Sequence, residues 1–140
     1  MVDVAVLLRE HLLNQLAVTS LLGTNADGSI YALADLPEHF DPKLGPAIQI
    51  VRSGGTSHDE ITPLVNARVQ VKVWADVEKY QVASDVYGAI NDTLHGVTGI
   101  ALPDGVILSA LESTGPQEMT DPDTGWSMIN SFYAVMARPN

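Results

Sequence analysis

The sequence predicts an α+β domain, in which a mostly antiparallel sheet of about four to five strands carries two main helices on one face. Two observations support this fold class. Apolar residues recur at helical spacing in two segments, and they alternate with polar residues in several others. A length of 140 residues fits a single domain spanning residues 1–140, and a chain of that size can bury its own core.

Two segments have the apolar spacing of amphipathic helices. Asp3 is suited to cap the first helix, and Asp76 is suited to cap the second, which the pattern ends near His95 and Gly96. The apolar stripe of the first helix comprises Val4, Leu7, Leu8, Leu12 and Leu16. The stripe of the second comprises Val82, Val86, Ala89, Ile90 and Leu94. Each helix therefore has one face suited to packing on a sheet.

The strand pattern is clearest at residues 67–75, where alanine and valine alternate with polar residues and a tryptophan. Residues 47–52, 106–112 and 126–137 are predicted to be further strands, and residues 30–32 a short extended piece. Two segments are predicted to be surface loops: the glycine-rich stretch 53–60 and a long acidic hairpin loop at 115–125.

The last predicted strand is apolar on both faces. Ile129, Tyr133 and Val135 alternate with Met128, Phe132 and other residues that would face the opposite way. A strand that is apolar on both faces is usually buried on both. With only two helices predicted, the second face is expected either to meet another subunit or to be covered by loops.

The charge balance argues against a protein that clamps nucleic acid. Seven basic residues stand against seventeen acidic ones, which gives a formal net charge of −10. The basic residues are scattered along the chain, whereas binding to a phosphate backbone needs them clustered. The chain has no cysteine, so disulfides and thiolate metal sites are excluded. No apolar run is long enough to cross a membrane, and no signal peptide is expected.

Searches for chemical motifs predict no catalytic residue, no cofactor and no metal. The adjacent residues His58, Asp59 and Glu60 are potential ligands, but neighbours in sequence point apart on a regular backbone. The Asp121–Gly125 segment lacks the glycine and glutamate that a calcium loop needs at its sixth and twelfth places. The 53–57 segment lacks the ending of a phosphate loop. A small α+β enzyme or ligand-binding domain remains an alternative, although no residues of a pocket stand out.

One family resemblance covers nearly the whole chain in order and spacing. Its main pieces are Leu21-Leu22-Gly23, then Pro46-Ala47-Ile48-Gln49-Ile50-Val51, and a strand running from Ala67 through Val73-Trp74-Ala75 into Asp76. A late Asp-Pro-Asp-Thr-Gly turn before a final apolar strand is also similar. In these features the chain resembles the tail-terminator, or tail-completion, proteins of long-tailed bacteriophages and gene-transfer particles.

This resemblance implies a non-enzymatic structural protein of the virion tail or neck, assembled in the host cytoplasm. Such a protein forms a homo-oligomeric ring, usually a hexamer, that caps the tail tube and ends its polymerisation. The implied partners are the tail-tube protein and a head or neck completion protein, with DNA passing through the ring without specific binding. A head-side neck protein is the alternative within the same assembly.

The resemblance transfers no individual contact residue, so the interface positions are inferred from exposure and chemistry. Two loops and the strand positions with aromatic side chains supply them. The predicted ring or partner interface comprises Arg52, Thr56, His58, Asp59, Glu60, Trp74, Glu118, Asp121, Asp123, Trp126, Phe132 and Tyr133.

Overall fold

A computed structural model describes residues 2–22, 29–32, 36–38, 40–57 and 64–140, with the side chains of residues 55–57 left undescribed. In chain order the helices are α1 (Val4–Leu13), α2 (Leu16–Thr19) and α3 (Tyr80–Leu94). The strands are β1 (Ile30–Tyr31), β2 (Ala47–Ser57), β3 (Val65–Val77), β4 (Val97–Leu102), β5 (Gly105–Thr120) and β6 (Trp126–Arg138). A 3₁₀ turn occupies Pro42–Leu44.

The six described strands form one mixed sheet in the order β1-β2-β3-β6-β5-β4. Only the β1–β2 pair is parallel; the other four are antiparallel. The α+β class is therefore confirmed, and the expected sheet of four to five antiparallel strands is corrected to six strands in a mixed sheet. The described part of the chain has three α-helices, whereas two main helices were predicted. The additional helix is the short α2, which follows α1 directly.

The main core lies between the helices and one face of the sheet. Asp3 caps α1 as predicted, since its Oδ1 accepts a hydrogen bond from the backbone N–H of Ala5 at 3.0 Å. Leu7, Leu8 and Leu12 of α1 are fully buried, whereas Leu16 is 80 % exposed and lies beyond the end of the helix. The residues that α3 buries are Ala83, Val86, Ile90 and Leu94.

The start of α3 differs from the prediction. Asp76 does not cap this helix, because β3 continues through a bulge to Val77, and the helix begins only at Tyr80. Glu78, between the two elements, has φ 58° and is the one described non-glycine residue with a positive φ. The turn from strand to helix therefore depends on a residue in the left-handed region.

The strands are longer than the sequence pattern indicates. Residues 53–57 belong to β2, and β5 continues to Thr120, so the predicted loop at 115–125 shrinks to the turn 121–125. The prediction also missed β4, whose pattern is interrupted by Gly99 at φ 64°. The ladder skips Gly99 on β4 and Leu108 on β5, so the two strands bulge together and lose simple alternation.

Candidate interaction surface

None of the described helices lies on one face of the sheet, and we call this face the open face. Cross-strand register assigns to it the even-numbered residues of β3 from Asn66 to Trp74 and those of β6 from Met128 to Met136. The odd-numbered residues between them, including Val71 and Tyr133, belong to the core on the helix side. The open face is the part of the molecule where an exposed sheet surface is available to a partner.

An aromatic cluster covers one end of the open face. It consists of Tyr31, Phe40, Trp74 and Trp126. Phe40 meets the other three rings edge-on, with centroid distances of 5.3 to 6.4 Å, and the two tryptophan rings lie 6.1 Å apart. Edge-to-face contacts at these distances stabilise the packing beyond the area that they bury.

The cluster encloses Trp74 within the domain. Its side chain is only 9 % exposed, and its indole N–H donates a hydrogen bond to the Gln49 amide oxygen at 3.1 Å. Trp126 is half-buried in the same cluster. Both residues were predicted to contact a partner, and in this structure their rings pack against each other and against Phe40.

No described helix lies over the other end of the open face, where Arg68 is exposed. A shallow groove runs across β3, β6 and β5 and is lined by Asn66, Ala67, Arg68, Leu111, Ala134 and Met136 among others. Leu111 is 53 % exposed at its edge. The Arg68 guanidinium carbon lies 4.0 Å from the centroid of the half-buried Phe132 ring, a cation–π contact that leaves the charge at the surface.

The open face is basic although the chain is acidic. Arg68 and Lys72 project from β3 on this face. The register leaves no aspartate or glutamate on it, from Asn66 to Trp74 on β3 or at the β2, β5 and β6 positions paired in line with them. With a formal charge of −10 on the whole chain, acidic residues must therefore be concentrated elsewhere.

Four acidic residues gather at one end of the sheet, which we call the acidic end. It comprises Glu78, Glu118, Asp121 and Asp123, of which all but the partly buried Asp121 are exposed. The β3–α3 connection and the β5–β6 turn meet there: the Tyr80 hydroxyl donates to the Met119 carbonyl oxygen at 3.1 Å. It also hydrogen-bonds the Thr120 hydroxyl.

Hydrogen bonds within the β5–β6 turn fix the position of its carboxylates. Asp121 accepts from the backbone N–H of Asp123 at 3.2 Å and from the Thr124 hydroxyl at 2.8 Å. Gly125, with φ 76°, completes the turn. The remaining acidic side chains, Glu118 and Asp123, are exposed on this hairpin.

The predicted interface residues of the glycine-rich segment are only partly described. Arg52 is half-buried, and its Nε donates to the Gly54 carbonyl oxygen at 3.3 Å. Thr56 belongs to β2, where it pairs with Asn66. His58, Asp59 and Glu60 lie outside the described residues, so their predicted role stays a prediction.

The placement of Tyr133 corrects one predicted interface position. Its side chain is 0 % exposed and lies under α3, where its hydroxyl donates to the Asn91 side-chain oxygen at 2.9 Å. Burial first, and then the nearby Glu112 charge, raise the pKa of Tyr133. Tyr133 is a core residue that no partner can reach in the folded domain.

A partly buried tyrosine holds β5 against α3. The Tyr87 hydroxyl donates a hydrogen bond to the Glu112 carboxylate, and burial together with this bond raises the pKa of Tyr87. The backbone N–H of Glu112 donates to His95 Nδ1 at 2.9 Å, so His95 is occupied at the end of the helix. The side chains of Tyr87, Glu112 and His95 stabilise the packing of β5 on α3, because the atoms named here hydrogen-bond within the domain.

The described part of the chain does not assemble a recognisable catalytic or metal centre. No group of three or more His, Asp or Glu residues within it is arranged to hold a metal ion. No helix within it combines the length and the apolar character needed to cross a bilayer. The groove at Arg68 is open and mostly apolar, unlike a pocket with converging polar groups. Its chemistry suits contact with another macromolecular surface.

Sequence reasoning missed Arg68, Leu111 and Met119. The alternation of the 67–75 strand predicts that Arg68 faces outward. A basic residue on a strand of an acidic chain could have marked it as a candidate contact residue. The exposure of Leu111 could not be predicted from the sequence. The bulge at Leu108 shifts the alternation, so that Ala110 faces the core and Leu111 faces outward. Met119 lay in a segment predicted to be a loop.

Comparison with known proteins identifies one family and similar solved structures. Residues 6–137 match the family described as tail completion protein gp17. Among solved structures, a chain from the "Virion of native gene transfer agent (GTA) particle" is similar, with a TM-score of 0.66 and 13 % sequence identity. The similarity covers 94 % of this chain and 91 % of that one, and it shows a shared fold. No curated protein matches the sequence significantly.

Proposed function

Because the chain belongs to the tail completion protein gp17 family, we propose that it is the subunit of a closed ring that caps the tail tube of a phage-like virion. The ring, a hexamer in this proposal, ends polymerisation of the tube and presents a docking surface to a head or neck completion protein. The domain spanning residues 1–140 acts as one unit of that ring. Membership of a tail completion family is consistent with a structural rather than an enzymatic role.

The observation that carries the proposal is the half of the open face that lies beyond the aromatic cluster. Leu111 is exposed beside Met136, and Arg68 lies over Phe132, so an apolar strip with fixed charge faces solvent. Exposed apolar surface of this kind, rimmed by polar residues, marks protein–protein contact sites. A subunit that functions through its surfaces needs such a strip, whereas an enzyme needs an enclosed polar pocket.

The net charge fits the passage of DNA through the ring. Each subunit carries a formal charge of −10. A ring of such subunits presents a negative potential around its hole, and like charge prevents the nucleic acid from adhering as it moves through. The basic residues of the open face are used in protein contacts in this proposal, and they do not line the lumen.

Electron microscopy of the purified chain mixed with its tail-tube protein at defined stoichiometry tests the proposal. We expect rings at the ends of tubes, and tubes whose length stays limited as tube protein is added. Tubes that keep growing with uncapped ends would contradict the terminator role. Binding to a head completion protein without any association with tubes would instead favour the neck protein.

A further inference from the structure

We propose that the basic open face of one copy binds the acidic end of the next, so that the ring closes through a single repeated heterologous contact. The proposal rests on the ring proposed above and names the two surfaces that meet in it. The partner that binds the open face in this proposal is a second copy of this chain. Charge, apolar content and the relative position of the two surfaces each support it.

Charge complementarity is the first support. The open face has Arg68 and Lys72 and no acidic residue on its paired positions. The acidic end has Glu78, Glu118, Asp121 and Asp123, and Lys79 is the one basic residue in the two segments 77–80 and 117–125 that form it. Two open faces repel each other, as do two acidic ends, so charge favours contact between unlike surfaces.

Apolar complementarity is the second support. Leu111 on the open face is exposed, and Val77 is exposed at the acidic end. The Val77 and Met119 segments are joined by local contacts: a Cβ on Gly125 would lie 3.6 Å from Val77 Cγ2, and the Tyr80 hydroxyl bonds the Met119 carbonyl. Each surface thus combines an exposed apolar side chain with charge of one sign, as a specific contact requires.

The position of the two surfaces is the third support. One is a face of the sheet and the other is an end of the same sheet, so they are different surfaces and do not lie on opposite sides of the domain. Heterologous contacts between such surfaces turn from one subunit to the next and can close into a ring.

A charge-swap experiment on the full chain tests the inference. Arg68→Glu alone, or Glu118→Lys with Asp123→Lys, should weaken self-association about tenfold or more by sedimentation velocity at low salt. Combining all three substitutions in one chain should restore it, because every contact then pairs the glutamate introduced on the open face with the lysines introduced at the acidic end. Lys43→Glu changes the net charge by the same amount as Arg68→Glu but lies on the exposed Pro42–Leu44 turn, outside both surfaces, and it should not weaken association. Failure of the combined variant to recover would overturn the inference.

Disulfide capture supplies a second measurement that does not depend on binding strength. The chain has no cysteine, so Leu111→Cys on the open face and Asp123→Cys at the acidic end introduce unique thiols. Oxidation of the double variant should give a ladder of linked subunits, while each single variant stays unlinked. Dimers from Leu111→Cys alone would show two open faces in contact and would overturn the inference.

The combined results separate this inference from the proposed function. Rings seen at tube ends without any disulfide between the two introduced cysteines would overturn the inference and leave the ring-cap function standing. A ladder with no capping of tubes would support the inference and contradict the cap function.

Discussion

At the residue scale, Glu10 shows how one carboxyl responds to its neighbour. Its side chain hydrogen-bonds the Asp104 side chain, and this bond raises the pKa of Glu10 because one shared proton is needed between two carboxyl groups. Desolvation and the Asp104 charge act in the same direction. The contact joins α1 to the turn between β4 and β5.

A raised pKa in the folded state makes stability depend on pH. The contribution of Glu10 is fully present below its unfolded pKa of about 4.3 and is lost as the pH rises through the raised folded value. Glu10→Gln keeps a hydrogen-bond donor toward Asp104 and cannot ionise. Its melting temperature should therefore exceed that of the wild type by more at pH 7 than at pH 4.

Glu118→Gln is the matched control for this pH series, since it removes the same charge from an exposed strand position. It should show no such growing difference between pH 4 and pH 7. An offset for Glu10→Gln that is constant across the pH range would mean that the pair does not share a proton.

At the element scale, the β3–α3 connection depends on Glu78 in the left-handed region. Glycine adopts this conformation without the Cβ penalty, so Glu78→Gly should raise the free energy of unfolding by about 0.5–1 kcal/mol. Chemical denaturation measures the change. The variant also removes a carboxylate from the acidic end, and it should weaken self-association.

Glu78→Ala separates these two effects. Alanine also removes the carboxylate but keeps the Cβ, so self-association should weaken to a similar extent without the gain in stability. If the alanine variant were as stable as the glycine variant, strain at this position would not limit the stability of the fold.

At the scale of the whole molecule, charge is segregated between a basic sheet face and an acidic end. Screening acts on contacts between such surfaces, because the Debye length falls from about 10 Å at 0.1 M salt to about 3 Å at 1 M. Self-association should therefore weaken steeply over this range. Sedimentation at several salt concentrations measures it, and association that strengthens with salt would indicate a purely apolar contact.

Much of the fold was predictable from local pattern. The α1 stripe with its Asp3 cap, the 67–75 strand and the two-faced last strand all follow from side-chain periodicity, and the structure confirms each of them. The start of α3 and the existence of β4 were not predictable in this way. Bulges at Asp76 and Leu108 and the positive φ of Gly99 interrupt the alternation on which a strand prediction depends.

The candidate surface was predictable only in part. Phe132 and the acidic residues near Asp121 were identified from the sequence, and the structure places Phe132 on the open face and Asp121 at the acidic end. Tyr133 was assigned to an interface, although the helix layer encloses it. We predict that the open face and the acidic end contact a partner, and the charge-swap and disulfide experiments test this prediction.

Composition and periodicity were sufficient for the α+β class and the acidic charge, because these are properties of the chain read in order; the family came from the resemblance to tail-completion proteins. Only the folded domain shows which residues, distant in the sequence, lie on the same surface. The bulge that turns Leu111 outward, the aromatic cluster that encloses Trp74 and the register that collects Arg68 and Lys72 on one face all depend on strand pairing. Pairing joins residues far apart in the chain, and local pattern carries no information about which strands will meet.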